Sequence, residues 1–242
     1  MKQLTAFIAL FLCAATASFA QIGAHAGIHG MFNTLWIINQ NSYGAEEYDY
    51  TLKTGVGGGL VLGYNFTDHI GLQTELNSIK MGQNYENSHG TGQVRKYNTS
   101  YIGIPLLLKY TSGEGTVKFY GQIGPQFNFL SNANIEYTDT SATTSVTISA
   151  KDRFSKTDVG LNFGLGANID ILPHLYLNAG LSFYYGFTDI NSKTATADPL
   201  AYDPNGTGSG TWRWPSPVNH KYEASHNGYG GLDVGIHYMF IH

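Results

Sequence analysis

Eight segments that alternate apolar and polar residues with period two predict an all-β chain. The connections between them alternate short and long, and the polar face carries few charges. Together these observations predict an eight-stranded antiparallel transmembrane up-and-down β-barrel.

The first strand is expected from about 22 to 38, with Ile22, Ala24, Ala26, Ile28, Phe32 and Trp36 on one face and His25, His29 and Asn33 on the other. In the second, from about 52 to 66, Val56, Leu60, Leu62, Tyr64 and Phe66 oppose Gly55, Gly57, Gly59 and Gly63. The third starts at Ile70 and sets Ile70, Leu72 and Leu76 against Gln73, Glu75 and Asn77. Past Ser78 the alternation slips at Ile79 and Met81, which predicts a β-bulge. In the fourth, from about 97 to 110, Ile102, Ile104, Leu106, Leu108 and Tyr110 oppose Gly103, Pro105 and Lys109. The fifth, from about 117 to 129, sets Val117, Phe119, Ile123 and Phe127 against Lys118, Tyr120, Gln122, Gln126 and Asn128. The sixth, from about 158 to 169, alternates without a break. The seventh runs from Leu175 to Phe187, and the eighth sets Leu232, Val234, Ile236, Tyr238 and Phe240 against Asp233, Gly235 and His237.

Three connections are short (65–69, 111–116 and 171–174) and four are long (about 39–50, 82–96, 130–157 and 189–227). Outer-membrane barrels have short periplasmic turns and long extracellular loops, and eight strands with both termini in the periplasm need this count in this order. A soluble barrel also alternates, but its polar face meets water and is dense in Lys and Glu. Here that face is mostly Gly, Asn, Gln, Ser and Tyr, and charged residues make up 12% of the chain against about 25% in ordinary soluble domains. The apolar face carries no charge through mid-strand, where one Arg or Lys would cost about 2–4 kcal/mol at the bilayer midplane. Aromatics cluster at both expected interfaces: Tyr64, Phe66, Tyr110, Phe119, Tyr238 and Phe240 near one end, and Trp36, Phe127, Phe129, Tyr185 and Phe187 near the other.

The start of the chain reads as an export signal. Lys2 precedes an apolar run from Leu4 to Ala17, and Ser18-Phe19-Ala20 is a small-residue cleavage site. Residues 1–20 are therefore expected to be removed, leaving 21–242 as one barrel domain. The run is shorter than the ~20 residues of a membrane helix. The single cysteine, Cys13, falls inside the signal and follows Leu12 rather than a small residue, which excludes a lipid attachment site. The mature chain then has no disulfide and no thiol metal site. Net charge is −4, which argues against nucleic acid.

The stretch Tyr101-Ile102-Gly103-Ile104-Pro105-Leu106-Leu107-Leu108-Lys109-Tyr110 resembles a recurrent strand of the PorT-like outer-membrane β-barrel family of Bacteroidetes-type bacteria. Lys156-Thr157-Asp158-Val159-Gly160 followed by Gly164-Leu165-Gly166, and the last strand from Gly231 to Phe240, resemble that family too. The chain departs from it at Gly103, where an acidic residue is common, and after Phe240, which Ile241 and His242 follow. The resemblance implies an outer-membrane barrel and no defined molecular activity.

Residues of the inward parity define the candidate site: a polar lumen network of Glu75, Lys109, Lys118, Asp233, His25, His29 and His237. Glu75 is expected to pair with a lysine across the lumen, with Lys109 favoured as its strand neighbour. His25 and His29 are four apart on a strand, hence about 13 Å apart, too far to share one metal ion. Hydrogen bonding rather than metal binding is expected of the histidines, and no cofactor is expected. Asp203 to Gly208 lacks the acidic positions of a calcium loop and reads as a Gly-rich tip. Trp212, Arg213 and Trp214 either form a contact for an envelope or extracellular protein partner or pack against the rim aromatics. Glu86, Ser88 and His89 lie close together in the second long connection, as a rim-located lipid A-modifying enzyme would need, but no strand frames them. A small-solute porin is the other alternative. Eight strands enclose a space that side chains fill, whereas open pores need about 16. The expected protein is a monomeric, non-enzymatic barrel with a filled lumen, partnered by outer-membrane lipid and acting through its extracellular loops or in envelope structure and assembly.

Overall fold

The computed structural model describes residues 22–39, 49–86, 93–112, 115–139, 144–191 and 224–240. The expected signal at 1–20 lies outside the described residues. The ten strands are β1 (Gly23–Ile38), β2 (Asp49–Thr51), β3 (Lys53–Asn65), β4 (Ile70–Glu86), β5 (Gln93–Ser112), β6 (Val117–Asp139), β7 (Thr144–Ser149), β8 (Thr157–Leu172), β9 (Leu175–Gly186) and β10 (His226–Met239).

Eight of them form the wall in the order β1-β3-β4-β5-β6-β8-β9-β10, each pair antiparallel. Pairing of β1 with β10 closes it, with Gly27 opposite His237 and Met31 opposite Asp233. Closure removes the free edges that a membrane does not tolerate. At the end with the short turns, Thr67 Oγ1 accepts hydrogen bonds from the backbone N–H of His69 (3.1 Å) and Ile70 (2.9 Å) and shapes the β3–β4 turn. Phe240 N–H donates to Ala24 C=O at 2.8 Å, so both chain ends of the wall meet there.

The outward face is apolar and uncovered. Leu62 is 60% exposed and Leu165 55%, which marks a surface that lipid covers. Both expected aromatic groups stand on it, with Tyr110, Phe119 and Phe240 near the turn end and Phe129 and Phe187 near the other.

Two expectations are corrected. No bulge follows Ser78: the β4–β5 register runs unbroken from Ile70 opposite Tyr110 to Glu86 opposite Val94, and Ile79 and Met81 keep the inward parity of Gln73. The inward face changes from polar to apolar instead. The register shift lies one strand further on, where Ser100 pairs with Asn132 but Tyr101 with Leu130. The long connections are also shorter than expected. The expected loops 82–96 and 130–157 are largely strand, because β4, β5 and β6 run on for 17, 20 and 23 residues. A tilted membrane strand needs about 9–11 residues, so this part of the wall stands beyond the bilayer. β2 and β7 flank it, pairing with β4 and β6, and β10 begins at His226, where the last long connection is expected to end.

Candidate functional site

The lumen has two layers. The lower, toward the short turns, is polar because the inward parity there carries His, Asn, Gln, Glu and Lys. Glu75 lies between the amides of its own strand neighbours: Gln73 Nε2 donates to Oε1 at 2.8 Å and Asn77 Nδ2 to Oε2 at 2.7 Å. His29 faces acceptors with both ring nitrogens, Nδ1 at 2.8 Å from Asp233 Oδ2 and Nε2 at 2.7 Å from Asn77 Oδ1. Its Nε2 is also 3.7 Å from Glu75 Oε2. This joins strands β1, β4 and β10 across the closure.

The expected direct pair of Glu75 with Lys109 is replaced by a bridge. Lys109 Nζ donates to Gln73 Oε1 at 3.4 Å and lies 4.3 Å from the centre of the Tyr120 ring. Gln73 thus stands between ammonium and carboxylate. Lys118 instead makes the direct ion pair, 2.7 Å from Asp170 Oδ2. The side chains of Glu75, Asp233 and Asp170 are thereby set against those of Lys109, Lys118 and His29 in the lower lumen.

His25 and His237 meet in a small ring cluster. The His237 ring is 4.9 Å from that of Tyr176 and 5.8 Å from that of His25, and Tyr176 Oη lies 3.2 Å from His237 Nδ1. The His25 ring lies directly over Gly63, where any Cβ would collide with it, and this explains a glycine on the inward face of β3. Among the described residues no group of three or more His, Cys, Asp or Glu side chains could hold a metal ion.

The upper layer is an apolar core. Met31, Leu35 and Ile37 of β1, Ile79, Met81 and Tyr85 of β4, Tyr97 and Tyr101 of β5, and Leu130 and Ile135 of β6 are all buried. Between the layers, Tyr229 Oη donates to Gln126 Oε1 at 3.1 Å, and Asn162 Nδ2 donates to the same oxygen at 2.7 Å. Above the core the chain folds inward after β7. Ala150 N–H donates to Ala133 C=O, and Phe154 turns into the mouth with its ring 6.5 Å from that of Tyr97. Phe154 bridges to Asn191, and Ser155 N–H donates to Ile190 C=O at 2.7 Å. Asp189 Oδ1 accepts from the backbone N–H groups of Asn191 and Ser225, both at 3.1 Å. The chain after β7 and the flanks of the last long connection therefore form one cap.

An eight-stranded closed wall with a lipid-exposed outer face and a packed interior is the architecture of an outer-membrane barrel, and the family comparison agrees: the model for the outer membrane protein beta-barrel domain matches residues 14–192. The chain belongs to that family. This outer-membrane barrel also resembles solved structures. Neisserial surface protein A is 14% identical, with 90% of this chain and 97% of that chain covered and a TM-score of 0.45. OprG of Pseudomonas aeruginosa is 16% identical, with 91% and 97% covered and a TM-score of 0.43. The attachment invasion locus protein Ail of Yersinia pestis is 14% identical, with 90% and 99% covered and a TM-score of 0.37. No curated protein sequence matches the chain significantly.

Sequence reasoning missed Asp170 as a lumen acid, although its even number on β8 matches inward-facing Asp158, Asn162 and Asn168. It missed the upper core, whose Met31, Leu35, Ile37, Ile79 and Met81 continue the inward parity with apolar residues. Trp212, Arg213 and Trp214, the stretch from Asp203 to Gly208, and Ser88 with His89 lie outside the described residues, while Glu86 is exposed at the outer end of β4.

Proposed function

We propose that this barrel is non-enzymatic, that its lumen is plugged, and that it acts at the cell surface through its raised wall and outer connections, in envelope structure or assembly. The observation that supports this is burial of the inward side chains in both layers. Asn77 and Gln126 below, and Tyr101, Ile37 and Ile135 above, are at most 1% exposed. A water-filled bore would leave such side chains in contact with solvent. The motifs in β5, β8 and β10 support a place within the PorT-like branch.

Purified barrel in planar bilayers is expected to show no large steady conductance. Reproducible nanosiemens steps would instead support the porin reading. Orientation is checked by cysteines at Asp68, in a short turn, and at Glu86, at the outer end of β4. An impermeant thiol reagent on intact cells is expected to label the second and spare the first.

A further inference from the structure

Two lysines, Lys80 and Lys96, stand on the outward parity of the raised wall, just beyond the lipid-facing band, and the ammonium of a third, Lys53, reaches that side from the inward parity of β3. On β4 and β5 the outward positions are even-numbered, and the last large apolar ones are Leu76 and Ile102. Beyond them the outward pairs are Ser78 with Ile102, Lys80 with Ser100, Gly82 with Asn98, and Asn84 with Lys96. Lys80 lies four residues past Leu76, roughly 13 Å along a tilted strand, and a long lysine stem reaches back toward the interface.

Lys53 joins them from the neighbouring strand. The β3–β4 ladder ends at Gly58 opposite Ser78, while β3 continues along β1 to Lys53 opposite Leu35. Across the gap this opens, Lys53 Nζ donates to Asn98 Oδ1 at 2.6 Å and Asn84 Oδ1 at 3.1 Å. The stem can lie there because residue 82 is glycine with φ of +135°, and Lys53 Cε is only 3.2 Å from where a Cβ would stand. Lys96 donates to Glu136 Oε1 at 2.9 Å. The Lys96 ammonium thus meets a carboxylate, while that of Lys53 rests on two amide oxygens. Burial, followed by repulsion from Lys96, pulls the Lys53 pKa down to about 8. An anion bound between them would relieve that repulsion.

We propose that Lys53, Lys80 and Lys96 form a docking site for the phosphate groups of a phosphorylated glycolipid of the outer leaflet, whose acyl chains lie on the apolar band at Leu76 and Ile102. The side-chain amides of Asn84 and Asn98 hold Lys53 in place, and Lys80, exposed on the outward face of β4, contacts the headgroup. The apolar surface directly below the cations favours a lipid over a free anion, because one molecule then satisfies both surfaces.

The test uses the full barrel in lipid nanodiscs, with bisphosphorylated lipid A as the probe and native mass spectrometry to read lipid retention. The wild-type barrel is expected to retain lipid A at least tenfold more tightly than the Lys53→Gln/Lys80→Gln double variant, while Lys80→Arg retains it like the wild type. Dephosphorylated lipid A is expected to bind wild type no better than the double variant binds the intact lipid. That comparison decides the matter on the wild-type chain alone if the variant fails to fold. Equal retention by wild type and double variant, or indifference to the phosphate groups, overturns the proposal. Displacement by inorganic phosphate at the lipid's own concentration overturns the lipid as occupant.

Discussion

Below Gly103 and Asn128 the barrel interior is held mainly by amides, carboxylates, lysines and histidines, with Leu107, Tyr120 and Tyr176 among them; above them it is held mainly by tyrosine, isoleucine, methionine and phenylalanine, with Gln83, Arg95 and Thr99 among them. The two regions solve different problems. The lower lumen lies within the bilayer, where the lipid outside is as apolar as a core, so inward apolar packing gains little from excluding water. Polar side chains there specify registry and fill space, provided each finds a partner. The upper region stands where water surrounds the wall, so an ordinary hydrophobic core stabilises it. The outward parity shows the reverse order: leucine and isoleucine at lipid level give way to Ser78, Lys80, Asn98 and Lys96 above.

If this contrast is right, the largest single effect belongs to the cap. Phe154→Ala removes a ring that is 1% exposed and packed on Tyr97. A loss of about 3–5 kcal/mol is expected for such a truncation. It should appear as a lower urea midpoint together with faster proteolysis of the outer end. A neutral result would mean that cap and wall unfold separately, and the upper region would not be a continuous core.

The lower region is next. Lys118 and Asp170 touch directly at 2.7 Å with side chains 6% and 14% exposed, so Lys118→Met and Asp170→Asn are each expected to cost about 3 kcal/mol, with the double variant recovering part of it. Glu75→Gln and Lys109→Met are expected to show a smaller coupling, below about 1 kcal/mol, because the Gln73 amide separates the charges. A double-mutant cycle on both pairs measures this. Equal couplings would show that charge balance over the whole lumen, rather than contact, sets the energy.

The smallest effect is a pH dependence of the outer wall. Lys53 has its pKa lowered to about 8 by burial and by Lys96, with Glu136 opposing and Lys80 adding to the shift, whereas an unfolded lysine titrates near 10.4. Between those values the unfolded chain binds more protons than the folded one, so stability rises with pH from about 8 to about 10. The urea midpoint of wild type is expected to climb in that window more than that of Lys53→Gln. Parallel curves would place the lysine in solvent.

Sequence alone determined the wall. Period-two alternation assigns inward and outward faces wherever the outward residues are apolar and the inward ones polar, and it placed His25, His29, Glu75, Lys109, Lys118, Asp233 and His237 on the inward parity where the structure has them. Alternation fails where both faces share a character. At Ile79 and Met81 apolar residues continue the inward parity beyond the bilayer, and this looked like a slip because one-dimensional pattern carries no height. Partner choice was equally out of reach. That Gln73 stands between Glu75 and Lys109, that Lys118 meets Asp170, and that Lys53 crosses the gap between β3 and β4 all depend on strand stagger and tilt. Those quantities are set when the first and last strands close on each other, and only the tertiary structure holds them.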